Sequence, residues 1–408
     1  MVLSRGISRR AFVHVLGGAA LAPTLGGCHN DPEPDVIIRQ GRVFDGNGFR
    51  ELDLALARGC ITTLAPSGSL TVVPTATTVE AAGWYVTPGW VDGHVHLGPS
   101  DVGLPSPRLG APMGATALVD AGTYGPQTFA AFVAETVEPS ETPLFALLNL
   151  RADGLTLSNS LTRYERGEGD TDGAARLLDR YPHLIRGVKA RVDGSTANGD
   201  DPLSMCRTAA DWAHHTGLPL TVHLGEPEPH LLDLLSLLQE GDIVTHAFRP
   251  RSNCVVDEEG RLYPAVTEAL SRGVGFDVGF GAVSFARDTW QLAHDQGLQD
   301  YTISSDSWVV SSSTGALTLA NVLTTFLNLG LPLADIIHRV SVLPRQRLGL
   351  PTTIQEEQRT DLTIFSLSEQ ERDGPNGSTT GHRIIPEYAV IAGAVHRAGD
   401  EDRERFLA

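Results

Sequence analysis

Eight short apolar runs recur along the chain, at Gly89 to Leu97, Ala115 to Gly122, Pro143 to Leu150, Ile185 to Val192, Pro219 to Gly225, Asp242 to Phe248, Val274 to Gly281 and Tyr301 to Ser307. They are near-continuous in hydrophobicity rather than alternating, as expected of strands covered on both faces. Between them the polarity repeats with a helical period. Pro202 to Thr216 sets Leu203, Cys206, Ala210 and Ala213 on one stripe, and Glu228 to Glu240 is rich in leucine. Eight strands, each followed by a helix, predict an α/β chain closed into a parallel (β/α)8 barrel, with an open doubly wound sheet as the alternative. No GxGxxG or phosphate loop follows the first strand, which argues against a dinucleotide fold.

The flanks follow a period of two. Asp35 to Glu80 carries alternating segments, Val36-Ile37-Ile38-Arg39 and Asp53-Leu54-Ala55-Leu56, broken by Gly41, Asp45-Gly46 and Gly59. Leu362-Thr363-Ile364-Phe365 and Tyr388-Ala389-Val390-Ile391-Ala392-Gly393 repeat the pattern at the far end. Together they predict a small β-sandwich built from both ends of the chain, with the Gly-, Ser- and Asp-rich Glu369 to His382 as an exposed loop. The expected organisation is a leader over 1–28, the first part of the sandwich over 29–86, the barrel over 87–349 and the rest of the sandwich over 350–408.

The leader itself reads as an address. Ser8-Arg9-Arg10-Ala11-Phe12, followed by the apolar Val13 to Leu25, resembles a twin-arginine export signal, and Leu25-Gly26-Gly27-Cys28 resembles a lipoprotein cleavage box. The resemblance implies a bacterial cell-envelope protein, periplasmic or on the extracellular face, whose lipidated Cys28 is its sole membrane contact and whose His29 to Asp35 form a tether. An ordinary cleaved secretory signal is the alternative. No later stretch is long and apolar enough to span a bilayer. The formal net charge of −18 repels nucleic acid, which excludes that class of partner. Beyond Cys28, the scattered Cys60, Cys206 and Cys254 form neither a disulfide framework nor a zinc spacing, and read as buried apolar residues. The sequence is compatible with self-association as a homo-oligomer.

In a parallel barrel, functional side chains sit at the C-terminal ends of strands, and a set of polar residues falls there. His94 and His96 close the first strand, two apart and therefore on one side. Lys189 closes the fourth, His223 the fifth, His246 the sixth and Asp306 the eighth. Four imidazoles with anionic oxygen donors suit divalent ions, Zn²⁺ before others. Lys189 is the chain's sole lysine, against 30 arginines, and its ammonium would repel a dication. A neutral lysine amine, unlike a guanidinium, can take up CO₂ as a carbamate whose two oxygens could bridge two metals.

Pro88-Gly89-Trp90-Val91-Asp92-Gly93-His94-Val95-His96 resembles the opening motif of the amidohydrolase superfamily, and the order His-x-His, Lys, His, His, Asp resembles its binuclear branch. Ala115 to Gly122, Gly187 to Arg191, Val222 to Pro227, Val244 to Phe248 and Ile303 to Asp306 are similar to its dihydroorotase-like deacetylases, over a match from about Val36 to Gly393. The resemblance implies metal-assisted hydrolysis of an amide or ester. His94 and His96 would hold the more buried metal, His223 and His246 the more exposed one, and carboxylated Lys189 would bridge them. Asp306 would ligate the buried metal and act as general base on a bridging hydroxide.

Substrate contacts are read more coarsely. Arg191 shares a face with Lys189, Arg249 follows the His246 strand and Arg151 follows Asn149; each could pair with a substrate carboxylate or serve as a structural ion pair. At the seventh strand the resemblance calls for Asp-x-Gly-His-Gly-x-Gly-Ser-Phe, whereas Phe280 stands in place of the histidine and Val283 in place of a glycine. Substrate preference therefore does not carry over. Asp92 is expected to buttress the mouth by orienting a ligand imidazole. The leading expectation is a binuclear zinc hydrolase of an N-acyl amino acid, cyclic amide or acyl ester such as an acylated hydroxy acid. A mononuclear deaminase would leave Lys189 without work, and a non-catalytic metal-binding lipoprotein would not need Asp306 as a base.

Overall fold

The structure is a computed structural model that describes residues 33–156, 169–191, 202–226, 229–250, 252–281, 283–309, 318–374 and 377–398. The export and lipoprotein segments, with Cys28, lie outside the described residues.

The N-terminal flank forms β1 (Val36–Phe44), β2 (Phe49–Ala57), β3 (Cys60–Pro66), β4 (Thr77–Glu80) and β5 (Tyr85–Pro88). The barrel strands follow as β6 (Trp90–Val95), β7 (Ala115–Ala121), β8 (Leu144–Asn149), β9 (Ile185–Ala190), β10 (Leu220–His223), β11 (Ile243–Thr245), β12 (Gly275–Asp277) and β13 (Tyr301–Thr302). The C-terminal flank supplies β14 (Gln358–Arg359), β15 (Leu362–Gly374), β16 (Gly377–Ile391) and β17 (Ala394–Arg397).

The eight strands β6 to β13 lie in chain order in one parallel sheet. A parallel bridge between Val95 and Ser307 joins its two edges. Two hydrogen bonds reinforce the closure, Asp306 N–H to the His94 carbonyl at 2.8 Å and His96 N–H to the Ser307 carbonyl at 3.0 Å. The fold is thus the expected (β/α)8 barrel, closed at the point where the first and last polar strand ends meet. The helix at Pro202–Thr216 has the bounds its stripe implies, whereas the leucine-rich helix is confined to Leu231–Leu237 and ends where Leu238 becomes extended. The connection from β6 to β7 departs from expectation: it carries single helical turns at Ser106–Arg108 and Ala111–Met113 rather than a helix. Ala111 packs there with Ala389 and Ile391 of the second sheet, which covers the barrel in place of a helix.

The flanks do not form two separate sheets. They join into one nine-stranded sheet in the order β14-β3-β2-β1-β5-β15-β16-β17, with β4 added on β1. Register shifts at Ile38/Gly41, Ala55/Leu56 and Ile364/Phe365 give that sheet the local bends through which one sheet can enclose a core. Val36, Ile38, Leu54, Leu56, Ile61, Val86, Leu362, Ile364 and Val390 share that apolar cluster. β5 binds the two ends of the chain together, pairing with β1 on one side and β15 on the other. Glu369 to His382 is not a loop. It extends the β15–β16 ladder, Glu369 opposite His382, as far as Gly374 opposite Gly377. An antiparallel ladder needs only backbone groups, and the Asn328 side chain anchors it by hydrogen bonds to the His382 N–H and carbonyl at 2.9 and 2.7 Å. Cys206 and Cys254 are free buried thiols, as expected, and Cys60 is buried as well.

Candidate metal centre

The barrel brings the six sequence-selected groups to one place. His94 lies within β6, Lys189 within β9 and His223 at the end of β10, while His96, His246 and Asp306 stand just beyond their strands. Asp306 Oδ1 is 3.4 Å from His94 Nε2 and 3.5 Å from His96 Nε2. Those three residues are the group whose donor atoms all lie within 4.8 Å of one another. Lys189 Nζ is 3.2 Å from His94 Nε2. The His246 ring lies 5.1 Å from that of His94 and 4.4 Å from that of His223, so a second imidazole pair adjoins the first.

Hydrogen bonding at the far side of each ring decides which nitrogen is free. Thr245 Oγ donates its one proton to Asp277 at 2.8 Å, so it can only accept from His94 Nδ1, which stands 2.9 Å away. His94 Nδ1 therefore carries the hydrogen and Nε2 presents a lone pair to the centre. His246 Nδ1 donates to the Gly279 carbonyl at 2.7 Å, with the same result. His96 Nδ1 meets Thr123 Oγ at 2.9 Å, and the Thr123 side chain is bonded in turn to Asp120. These carboxylate–threonine–histidine relays orient ligand imidazoles and raise their basicity. Burial holds His94, His223 and His246 below the ordinary histidine value, so they are neutral at pH 7.

The acidic and basic members are set by the same burial. Burial opposes ionisation of Asp306, but the surrounding His94, His96 and His246 outweigh it and hold the carboxyl well below its usual range. Burial pushes Lys189 down to about 8, against the pull of Asp306 and Asp277 and with Arg191 adding to the fall. A neutral amine is therefore accessible near physiological pH. Lone-pair imidazole nitrogens around a buried carboxylate form a donor set that a borderline-soft divalent cation fits.

The backbone is bent to make this arrangement. His246 has φ 65° and Asp306 φ 51°, in the left-handed region that side chains seldom occupy. Such residues cost about 1–3 kcal/mol each and persist where surrounding structure enforces them, often at functional sites. Gly279 and Gly281 help enforce them. A Cβ on Gly279 would meet Thr245 Oγ at 2.5 Å and His246 Nδ1 at 2.7 Å; one on Gly281 would meet Asp306 Oδ2 at 2.6 Å.

Asp92 does not orient an imidazole as expected. It bonds the Ser305 N–H at 2.9 Å and Ser305 Oγ at 2.5 Å, and so braces the Asp306 segment from behind. The orienting carboxylate is Asp277, which also accepts from Thr302 and Ser304, each at 2.7 Å. Sequence reasoning missed Thr245, Thr123 and this role of Asp277. Position two before Gly279 marked Asp277 only as part of a motif.

Burial raises the Asp92 carboxyl from the ordinary aspartate value of about 4 to about 7, so between those values the folded chain holds a proton that the unfolded chain has released. Stability should therefore fall as pH rises from about 4 to about 7. Denaturant titrations of metal-depleted protein should show that fall, and Asp92→Asn, which mimics the protonated acid, should flatten it.

Among the proposed substrate contacts, Arg151 is engaged with Asp153 through Nε at 2.5 Å and Nη2 at 3.0 Å. Arg249 donates to the Leu224 carbonyl at 3.2 Å and stands 3.8 Å from Glu226. Arg191 lies close enough to act electrostatically on both Lys189 and His223. Phe280 stacks on Phe285 with ring centres 4.8 Å apart, its N–H bonded to the Ser304 carbonyl.

A parallel barrel with buried His, His and Asp donors at its C-terminal mouth has the make-up of a metal-dependent hydrolase. No protein-family profile matches the chain. A curated deacetylase of Brucella anthropi is 31% identical over 325 residues, covering 77% of this chain and 80% of the relative. A solved dihydroorotase superposes with a TM-score of 0.80 at 26% identity, covering 89% of this chain and 99% of that one. A solved adenine deaminase gives 0.78 at 25% identity, covering 90% and 100%. The chain belongs to the amidohydrolase superfamily, in its dihydroorotase-like branch. It is a metal-dependent amidohydrolase, and its substrate is a small molecule.

Removing the Thr245 hydroxyl tests the relay without touching a ligand. Thr245→Val should weaken metal binding by about 10- to 100-fold, as loss of an outer hydrogen bond to a ligand typically does. Chelator competition measures it, and unchanged affinity would count against the relay.

Proposed function

We propose that the protein hydrolyses the acyl bond of an N-acyl amino acid, a cyclic amide or a related acyl ester, with two divalent ions, Zn²⁺ foremost, at the mouth of the barrel. The observation that supports it most is that His94 and His246 are held as Nδ1–H tautomers, while the Nε2 atoms of His94 and His96 stand beside Asp306 and that of His94 beside the chain's sole lysine. His94 and His96 would hold one ion and His223 and His246 the other. Bound there, the ions would supply carbonyl polarisation and water acidified at neutral pH.

The chain's own residues would do the rest. The Lys189 amine adds to CO₂, forming an N–C bond and releasing one proton, and the resulting carbamate exchanges a cation for an anion with two oxygens to share. Asp306, ionised and beside both histidines of the first pair, takes the proton of the attacking water and passes it to the leaving nitrogen or oxygen. Arg191 and Arg249 offer guanidinium groups for a substrate carboxylate. The Phe280–Phe285 stack and Val283, which is 75% exposed, give that rim an apolar side, which favours an apolar acyl or side-chain group.

A second reading has support in the His94, His96 and Asp306 cluster alone, which would hold one ion in a deaminase. A panel of N-acyl amino acids, acyl hydroxy acids, cyclic amides and adenine, offered to zinc-loaded protein, separates the two. Carboxylate release with two metals per chain is expected. Ammonia release from adenine with one metal per chain would overturn the proposal.

We also propose export to the cell envelope with lipid on Cys28, on the strength of the Arg9-Arg10 and Leu25 to Cys28 segments. Mass spectrometry of the mature N-terminus should find diacylated Cys28; an intact Met1 start in the envelope fraction would contradict it.

A further inference from the structure

The far end of the barrel is hollow. A cavity of about 370 Å³ opens there, walled by Val119, Leu147, Ile243 and Leu348 and by the turns that precede β10 and β11. Parallel barrels ordinarily fill this region with branched side chains. The volume falls within the range of small-molecule sites. The substrate mouth lies at the other end, and the cavity reaches it only from below, where His94 and Asp277 form part of the roof.

Two guanidinium groups line this apolar chamber. Arg347, from the helical segment Leu343–Leu348, donates from Nη1 to Thr302 Oγ at 3.3 Å, and no carboxylate lies within ion-pair distance of it among the described residues. The residue is solvent-exposed; desolvation of its guanidinium lowers its pKa, while Asp277 and Asp300 pull the other way from beyond ion-pair distance. Arg186 of β9 lies over the Phe145 ring at 5.3 Å, and its Nε is buried with no hydrogen-bond partner. Desolvation lowers it as well. Glu240 is the one acidic residue of the lining besides Asp277, and it is exposed at the rim. A guanidinium partly withdrawn from water and not paired at close range is open to an anion, and it grips a carboxylate through two parallel hydrogen bonds.

We propose that this chamber is a second ligand site, for a small organic carboxylate with a short apolar body. The carboxylate would lie between Arg186 and Arg347, and the body against Leu147, Ile243 and Leu348. A largely apolar wall favours an organic body over an inorganic anion, whose remaining oxygens would meet fewer donors there than in water.

Calorimetric titration of the full chain with butyrate, butyramide and inorganic phosphate tests this. Each titration is run with the metals bound and again after chelation, because a metal centre can bind carboxylates too. Expected is one saturable butyrate site that survives chelation and is absent for butyramide. Arg347→Met and Arg186→Met should each weaken it about tenfold or more, the loss of a charge-assisted pair. Arg249→Met, at the other end of the barrel, should leave it unchanged. If Arg347→Met fails to fold, Arg186→Met and the conservative Arg347→Lys carry the test. Loss of butyrate binding on chelation, binding unchanged in the arginine variants, or phosphate binding as tightly as butyrate would overturn the proposal. None of these outcomes bears on hydrolysis at the mouth.

Discussion

Lys189→Ala should abolish turnover and one of the two metal sites while leaving the fold intact. Lys189 is only 3% exposed and its Nζ stands 3.2 Å from a ligand nitrogen, so the residue belongs to the centre and not to the surface. A fall in kcat/KM on the order of 10³-fold or more is expected, since even one electrostatic donor at a reacting carbonyl is worth about 10²–10³. Lys189→Arg should fare no better. A guanidinium keeps the charge of the unmodified side chain, stays protonated at any working pH and cannot form a carbamate. Elemental analysis should find the metal content of both variants reduced towards one ion per chain. Added short carboxylic acids could partly restore the alanine variant by filling the bridging position, and they should do nothing for arginine. Full activity with two tightly held ions in either variant would remove the bridging role.

Asp306→Asn is expected to separate binding from chemistry. The amide keeps the shape and one oxygen donor of the carboxylate, and the φ of 51° at this position is one that asparagine tolerates better than most residues. Metal should still bind, more weakly, whereas kcat should fall by about 10²–10⁴-fold, the usual worth of a positioned general base. The loss should fall on kcat rather than KM, because the proton is moved only in the transition state. The acidic limb of the pH–rate profile should also vanish. Since its neighbours hold Asp306 below the ordinary carboxylate range, that limb belongs at low pH, with activity lost as the pH falls through the folded value. A variant that loses only metal, and regains full kcat at saturating metal, would reassign Asp306 as a ligand alone.

Much of this architecture was legible because burial on both faces writes itself into sequence. Near-continuous apolar runs betrayed the barrel strands, and polar residues at their ends stood out against that background. His94 and His96 were visible by spacing, and Lys189 by being the chain's sole lysine. The relays were not legible. Threonine is common in strands, so nothing in the chain distinguishes Thr245 or Thr123 from neighbours that merely pack. The left-handed backbone at His246 and Asp306 is imposed by closure of the barrel and leaves no local mark. Glu369 to His382 misled because its composition favours turns, while its pairing is decided by the partner strand and the anchor at Asn328. The lower cavity could not be foreseen for a related reason. Val119, Leu147 and Ile243 read as core residues, and the space they fail to fill exists only once the strands are assembled.

The most direct test of the metal centre is metal analysis joined to carbon NMR on protein prepared under ¹³C-labelled CO₂. Two divalent ions per chain and one enriched carbamate carbon, both lost in Lys189→Arg, are the expected result. A single ion beside an unlabelled, unmodified Lys189 in fully active enzyme would contradict the binuclear account.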